Sequence, residues 1–168
     1  MPLVTTSRPA ALLPWLGTAG RLLLGGVWLA AGASKITDLD ASVRAVRAYR
    51  LLPETAAQVV GAGLPLVELL LGALLVAGAG VRAAAAVSAV LMLGFVVGIA
   101  SAWARGLRID CGCFGSGGEL AAGQDPTYGI ELARDAALLV LALLLARWPT
   151  GRFSLDGLTA RHVTKEPS

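Results

Sequence analysis

The chain has 168 residues, 56% of them hydrophobic and 15% charged, with a mean hydropathy of +0.72. These values exclude a soluble domain of this size and fit a polytopic membrane protein built as one compact unit. The net charge of +3 comes from Lys and Arg at the ends of apolar runs. A bilayer places them there, so the charge gives no ground for nucleic-acid binding.

Residues 1–14 read as a cytoplasmic tail with one charge, Arg8. The apolar run from Trp15 to Ser34, broken by Arg21, predicts a first membrane span. Ala31-Gly32-Ala33 resembles a signal-peptide cleavage site, but the run is long for a signal and further spans follow. Between Lys35 and Thr55 the pattern changes. Leu39, Val43, Val46 and Leu52 recur at helical spacing, with Tyr49 nearby, and Arg44, Arg47 and Arg50 fall on another side. That predicts an amphipathic helix lying in the interface, stopped by Pro53.

A second span follows over Ala56–Ala79, containing Pro65 and, near mid-depth, Glu68. Gly80-Val81-Arg82 is a short turn, which predicts a third span, Ala83–Trp103, packed antiparallel beside the second. Gly94 and Gly98 in that span form a close-packing pattern, one that Gly-rich helices also show by chance. The interval from Arg105 to Tyr128 is polar, rich in glycine, and holds both cysteines. A fourth span runs over Ile130–Ala146, entered through Glu131, Arg134 and Asp135 and ended by Trp148-Pro149. Residues 149–168, with the single histidine His162, read as a disordered or surface-lying tail.

The expected fold is all-α, an integral membrane four-helix bundle within residues 15–148. Its spans lie at about 15–34, 56–79, 83–103 and 130–146, with an interfacial amphipathic helix between spans 1 and 2 and a Cys loop at 105–128. Four spans put both termini on one side. Trp15 and Trp148 then mark one interface and Trp103 the other. Lys and Arg do not decide the orientation. Arg8, Arg82, Arg147, Arg152, Arg161 and Lys165 on one side balance Lys35, Arg44, Arg47, Arg50, Arg105 and Arg108 on the other. Compartment chemistry breaks the tie, because a cycling disulfide belongs outside the reducing cytosol. The termini are therefore expected in the cytoplasm and the Cys loop outside the cell membrane.

The chemistry concentrates in Asp110-Cys111-Gly112-Cys113-Phe114-Gly115. Two thiols one residue apart, with a glycine between them for backbone freedom, suit a strained, exposed disulfide that exchanges readily. Arg105 and Arg108 are candidates to favour a thiolate, and the adjacent Asp110 opposes it. An inert staple and two isolated thiols are the alternatives. Two Cys and one distant His do not make a closed tetrahedral metal site, so no metal is expected. Glu68 is an ionisable group inside a span, a candidate for proton exchange or for structural pairing. Arg134 either snorkels or positions an anionic group near the thiols, with Glu131, Asp135 or Glu68 as partners. Lys35 is expected to snorkel.

Several segments together resemble the MauE branch of the DoxX-like membrane proteins. They are Gly32–Ile36, Tyr49-Arg50-Leu51-Leu52-Pro53, Pro65 with Glu68, the Cys loop, and Arg134-Asp135. The resemblance covers about Arg21 to Arg147, and the Cys loop is its most specific element. It implies a four-helix membrane protein. MauE is associated with methylamine utilisation, in maturation or disulfide formation of the methylamine dehydrogenase small subunit. DoxX relatives are linked to thiosulfate:quinone oxidoreduction. Membrane enzymes of the DsbB and vitamin K epoxide reductase kinds relay electrons through two Cys pairs, whereas this chain has one.

The expected function is membrane thiol–disulfide redox chemistry by Cys111 and Cys113 with a thioredoxin-like or client protein outside the cytoplasm. Glu68 and Arg134 would assist, and a quinone is a possible electron acceptor. A non-catalytic subunit or scaffold of a redox complex is the alternative, and a small-solute transporter comes third.

Overall fold

A computed structural model describes residues 8–114, 117–149, 151 and 155–156, with side chains from Pro14 onward. The helices run α1 (Arg8–Lys35), α2 (Leu39–Ala48), α3 (Glu54–Ala77), α4 (Val81–Ala104) and α5 (Tyr128–Arg147). Between α4 and α5, strands β1 (Ile109–Asp110) and β2 (Gly118–Glu119) pair antiparallel. The protein is thus mostly helical, and the short β pair departs from the all-α expectation. Helix α1 also begins within the stretch expected to be a tail.

Among the described residues, three helical segments are long and apolar enough to cross a membrane: Pro14–Lys35, Glu54–Ala77 and Val81–Ala104. Helix α5 has 20 residues but carries Glu131, Arg134 and Asp135 near its start. Trp15, Trp103 and Trp148 all face outward.

Helices α1 and α3 pack antiparallel through glycines. A Cβ at Gly72 would lie 2.9 Å from the Gly25 carbonyl oxygen, and one at Gly32 would lie 2.9 Å from that of Pro65. Only glycine permits backbones this close. On the other side α4 packs along α5. Leu24, Trp28, Leu75, Ala85, Met92 and Leu138 join the two pairs in one core. Trp28 donates its indole N–H to Ser88 Oγ at 2.9 Å, which satisfies both polar groups in the apolar interior.

Two expectations change here. The turn between α3 and α4 comes earlier, at Gly78 and Gly80, both left-handed (φ 71° and 58°), and Val81 and Arg82 already belong to α4. Helices α3 and α4 touch over only a short part of their length; α3 packs mainly on α1, and α4 on α5. Gly94 meets nothing, and Gly98 faces only the Tyr49 ring, so this pair seals no helix contact. The tail, expected to be disordered or surface-lying, meets the bundle at its surface at one described point. Asp156 accepts from the Gly80 and Val81 amides at 2.8 and 3.1 Å, capping the start of α4 as an N-terminal carboxylate should. Residues 150, 152–154 and 157–168 of the expected tail, including His162, lie outside the described residues, as do Gly115 and Ser116 of the Cys loop.

Helix α2 starts at Asp38, whose side chain accepts from the Ala41 amide at 2.8 Å. It ends at Ala48; Arg50 then takes a left-handed backbone (φ 53°), three residues before Pro53, the N-cap of α3. Its buried face is Ser42, Val43, Ala45 and Ala48, while Leu39 and Leu52 of the expected apolar face are exposed. The small buried residues explain the difference. They let α3 approach at Gly61, where a Cβ would meet Val43 Cα at 2.5 Å, and the Cys loop approach at Ala45. Helix α2 is a spacer between α3 and the loop.

Candidate functional site

The Cys loop is held from both ends. Its β1–β2 pair closes the base, with Ile109 opposite Glu119 and Asp110 opposite Gly118. The Tyr128 hydroxyl accepts from the Ile109 amide at 3.0 Å and donates to the Leu107 carbonyl at 2.5 Å, fixing the loop to the first residue of α5. Asp110 Oδ1 accepts from the Gly112 amide at 2.9 Å, the local turn that short polar side chains favour. Gly112 needs its left-handed conformation (φ 69°), and a Cβ there would meet Ala45 Cβ at 2.7 Å.

This folding carries the cysteines inward. Both are free thiols; Cys111 is half-buried and Cys113 only 8% exposed. The expected exposed pair is therefore a sheltered one, because the loop sinks between α2 and the top of α5 instead of standing in solvent. The Cys113 amide lies 3.3 Å from Cys111 Sγ. Arg134 Nη2 lies 3.7 Å from the same sulfur, and Arg134 Nε donates to Asp135 Oδ1 at 2.8 Å. The guanidinium also stacks over Phe114, 5.1 Å from its centroid. Asp135 Oδ2 faces Cys113 Sγ at 4.0 Å.

The environment splits the two thiols. The hydrogen bond from the Cys113 thiol pulls the pKa of Cys111 below that of an ordinary thiol, with the Cys113 amide and Arg134 adding to it and burial opposing. Cys113 is pushed up, first by holding the proton in that bond, then by burial and the charge of Asp135. Tyr49, which donates to the Cys111 carbonyl at 3.1 Å, is pushed up by burial. Of the two thiols, Cys111 is the one whose ionisation the surroundings favour.

The expected cationic helpers are placed elsewhere. Arg105 binds the Tyr49 carbonyl, and Arg108 binds the Gln124 carbonyl and Asp125, both at exposed sites. Arg134 takes their part. Asp110, Cys111 and Glu131 each put one oxygen or sulfur within 4.8 Å of the others. Three such atoms are one fewer than a closed tetrahedral site needs, so the trio is read as a charge arrangement, with Glu131 disfavouring the thiolate that Arg134 favours.

Glu68 is buried at 1% exposure and pairs with Lys35 at 2.6 Å. Lys35 is itself 3% exposed, so it does not snorkel. The α1–α3 glycine seam brings the end of α1 down to mid-α3, and α2 and the loop cover it. Glu68, Cys113, Arg134 and Asp135 line one small cavity, so three of the four expected site residues meet there and Cys111 adjoins them. Sequence reasoning named Asp135 only as a partner for Arg134 and expected Lys35 to snorkel, so neither was read as part of the site. For Lys35, the 33-residue separation from Glu68 hid the pairing. For Asp135, its place immediately after Arg134 was the available signal.

A helical membrane protein with a sheltered Cys-Gly-Cys dithiol against an Arg–Asp pair is the class that this fold and site define. The family described as methylamine utilisation protein MauE matches residues 13–147, and the chain belongs to that family. One relative, methylamine utilization protein MauE of Paracoccus denitrificans, is 34% identical over 134 residues, which span 79% of this chain and 69% of that protein. No solved structure matches.

Proposed function

We propose that this protein is a membrane thiol–disulfide redox protein that serves methylamine utilisation, as its relative's name indicates for that protein. The observation that carries the reading is the split pair: a half-exposed Cys111 favoured as thiolate by Cys113 and Arg134, beside a buried Cys113 thiol. Such a pair divides the labour of exchange. Cys111 meets the partner, and Cys113 resolves the mixed disulfide. Helix α5 is the fourth span of a four-helix bundle, with α2 at the interface, the termini cytoplasmic and the loop outside. A thioredoxin-like or client protein is the exchange partner there. Glu68 exchanges protons, and Arg134 positions the Cys111 thiolate.

A quinone is the proposed electron acceptor. An apolar groove of about 370 Å³ lies between α2, α3 and α4, lined by Val46, Tyr49, Leu64, Val90, Phe95 and Gly98. Its size suits a small-molecule site. Tyr49, Leu64 and Phe95 also wall the smaller cavity that touches Cys111 and Cys113. A lipid-soluble oxidant in the groove would stand one side-chain layer from the thiols.

The alternative is a non-catalytic subunit whose loop, braced on Ala45, docks a partner. Two measurements separate the readings. Equilibration in glutathione buffers should give a Cys111–Cys113 midpoint above about −300 mV, the range of structural disulfides; a lower midpoint, or no bond, removes the redox role. Cys113→Ser should trap a mixed disulfide through Cys111, and Cys111→Ser should trap far less.

A further inference from the structure

We propose that Asp135 takes the proton of the Cys113 thiol when the pair closes, and that one water in the cavity between Cys113, Asp135 and Glu68 carries that proton on to Glu68. The proposal rests on the thiol–disulfide reading and adds its proton path. Asp135 Oδ2 is 4.0 Å from Cys113 Sγ, and both groups are buried, Asp135 at 2% exposure. Its other oxygen is held by Arg134 Nε, so Oδ2 is left facing the sulfur. Glu68, Cys113 and Asp135 share a cavity of about 10 Å³, which is the room one water needs. Glu68 Oε2 is buried there with no hydrogen-bond partner among the described residues, while Oε1 is held by Lys35. A water between the carboxylates and the thiol has the polar partners such a site requires.

The step balances as follows. The Cys111 thiolate attacks a disulfide RS–SR, forming Cys111–S–SR and releasing RS⁻. In the reduced pair the Cys113 proton has two acceptors, Cys111 and Asp135. Once Cys111 is in the mixed disulfide its charge is gone, and Asp135 is the anionic acceptor in contact. The proton moves to Asp135, and the Cys113 thiolate attacks Cys111 Sγ. The intramolecular bond forms, the Cys111–SR bond breaks, and the second RS⁻ leaves with its electron pair. Two electrons have passed from the pair to RS–SR.

The test uses the full chain in lipid nanodiscs, reduced and then mixed with glutathione disulfide. Quenched samples are weighed by mass spectrometry, which separates formation of the Cys111 adduct from its resolution. Asp135→Asn should form the adduct at the wild-type rate but resolve it about 100-fold more slowly, the usual contribution of a positioned base. Asp135→Glu should recover most of that loss. If Asp135 were only a fixed negative charge, its removal would ease Cys113 ionisation and speed resolution. Resolution in Asp135→Asn as fast as wild type, or faster, therefore overturns the assignment. Glu68→Gln should slow resolution about tenfold; an unchanged rate overturns the water relay.

Should the variants fail to fold, the wild-type pH profile decides. The charged and titratable groups around Cys113 and Asp135 are Cys111, Arg134, Glu131 and Tyr49, with Glu68 and Lys35 across the cavity. With an internal carboxylate as acceptor, resolution stays nearly flat between about pH 6 and pH 9. A tenfold rise per pH unit across that range overturns the proposal. A wild-type adduct that never resolves removes the thiol–disulfide reading and this proposal together. A wild type that resolves, beside an unslowed Asp135→Asn, overturns Asp135 alone.

Discussion

Helix α3 has one sealed face and one open face. Toward α1, distant in sequence, Gly25, Gly32 and Gly72 bring the backbones into contact, and the buried Lys35–Glu68 pair sits at the end of that seam. Toward α4, joined to it by a three-residue turn, it stands apart and forms one wall of an apolar groove. Placement of small residues decides which helices close up, and chain adjacency does not. On the sealed side both charges are shut away from bulk solvent, so each depends on the other for its counter-charge. The open side is where a lipid-soluble molecule can approach the thiols.

The largest expected effect is on the sealed side. Lys35→Ala leaves Glu68 buried without its counter-charge and should destabilise the protein by about 3–5 kcal/mol in detergent unfolding. Replacing both partners, Lys35→Met with Glu68→Leu, should recover most of that loss. If the single variant is as stable as wild type, the pair is not what holds this end together. Next in size is Gly72→Val, whose Cβ would press on Leu29 Cγ at 2.6 Å and on the Gly25 carbonyl. Backbone cannot step aside cheaply, so a loss of about 1–3 kcal/mol is expected. Gly94→Val on the open face meets nothing and should stay within about 0.5 kcal/mol of wild type. Equal losses at the two glycines would erase the contrast between the faces.

The helices were legible because apolar runs of bilayer length are a strong signal, and Cys111 and Cys113 were legible by their spacing. Partner choice was not. Gly94 and Gly98 carry a packing pattern yet face a groove, while Gly25, Gly32 and Gly72, which seal the fold, have no glycine four residues away. Lys35 looked like a chain-end cation because snorkelling is the default at a span's edge, and only the covering by α2 and the loop buries it. Arg105 and Arg108 lie near the cysteines in sequence but turn away to carbonyls, whereas Arg134, more than 20 residues on, reaches Cys111. A helix start can present a side chain to a loop that sequence distance does not connect to it.

The smallest expected effect tests the boundary between sheltered and reachable, which runs through the thiol pair itself. The Cys111 pKa is lowered from the ordinary value of 9.0 and that of Cys113 is raised, so Cys111 keeps a larger thiolate fraction as pH falls below 9. The thiolate is the reactive form. Alkylation of the reduced protein near neutral pH should therefore mark Cys111 well before Cys113, read by peptide mass. Arg134→Gln removes the guanidinium at 3.7 Å and should slow Cys111 labelling several-fold at neutral pH. The difference should vanish at high pH, where the thiol is ionised with or without Arg134. Arg134→Lys keeps the charge but not the fork that also binds Asp135, so it should recover the rate only in part. Faster labelling of Cys113, or an Arg134→Gln rate equal to wild type, would show that Cys111 does not owe its thiolate to this arrangement.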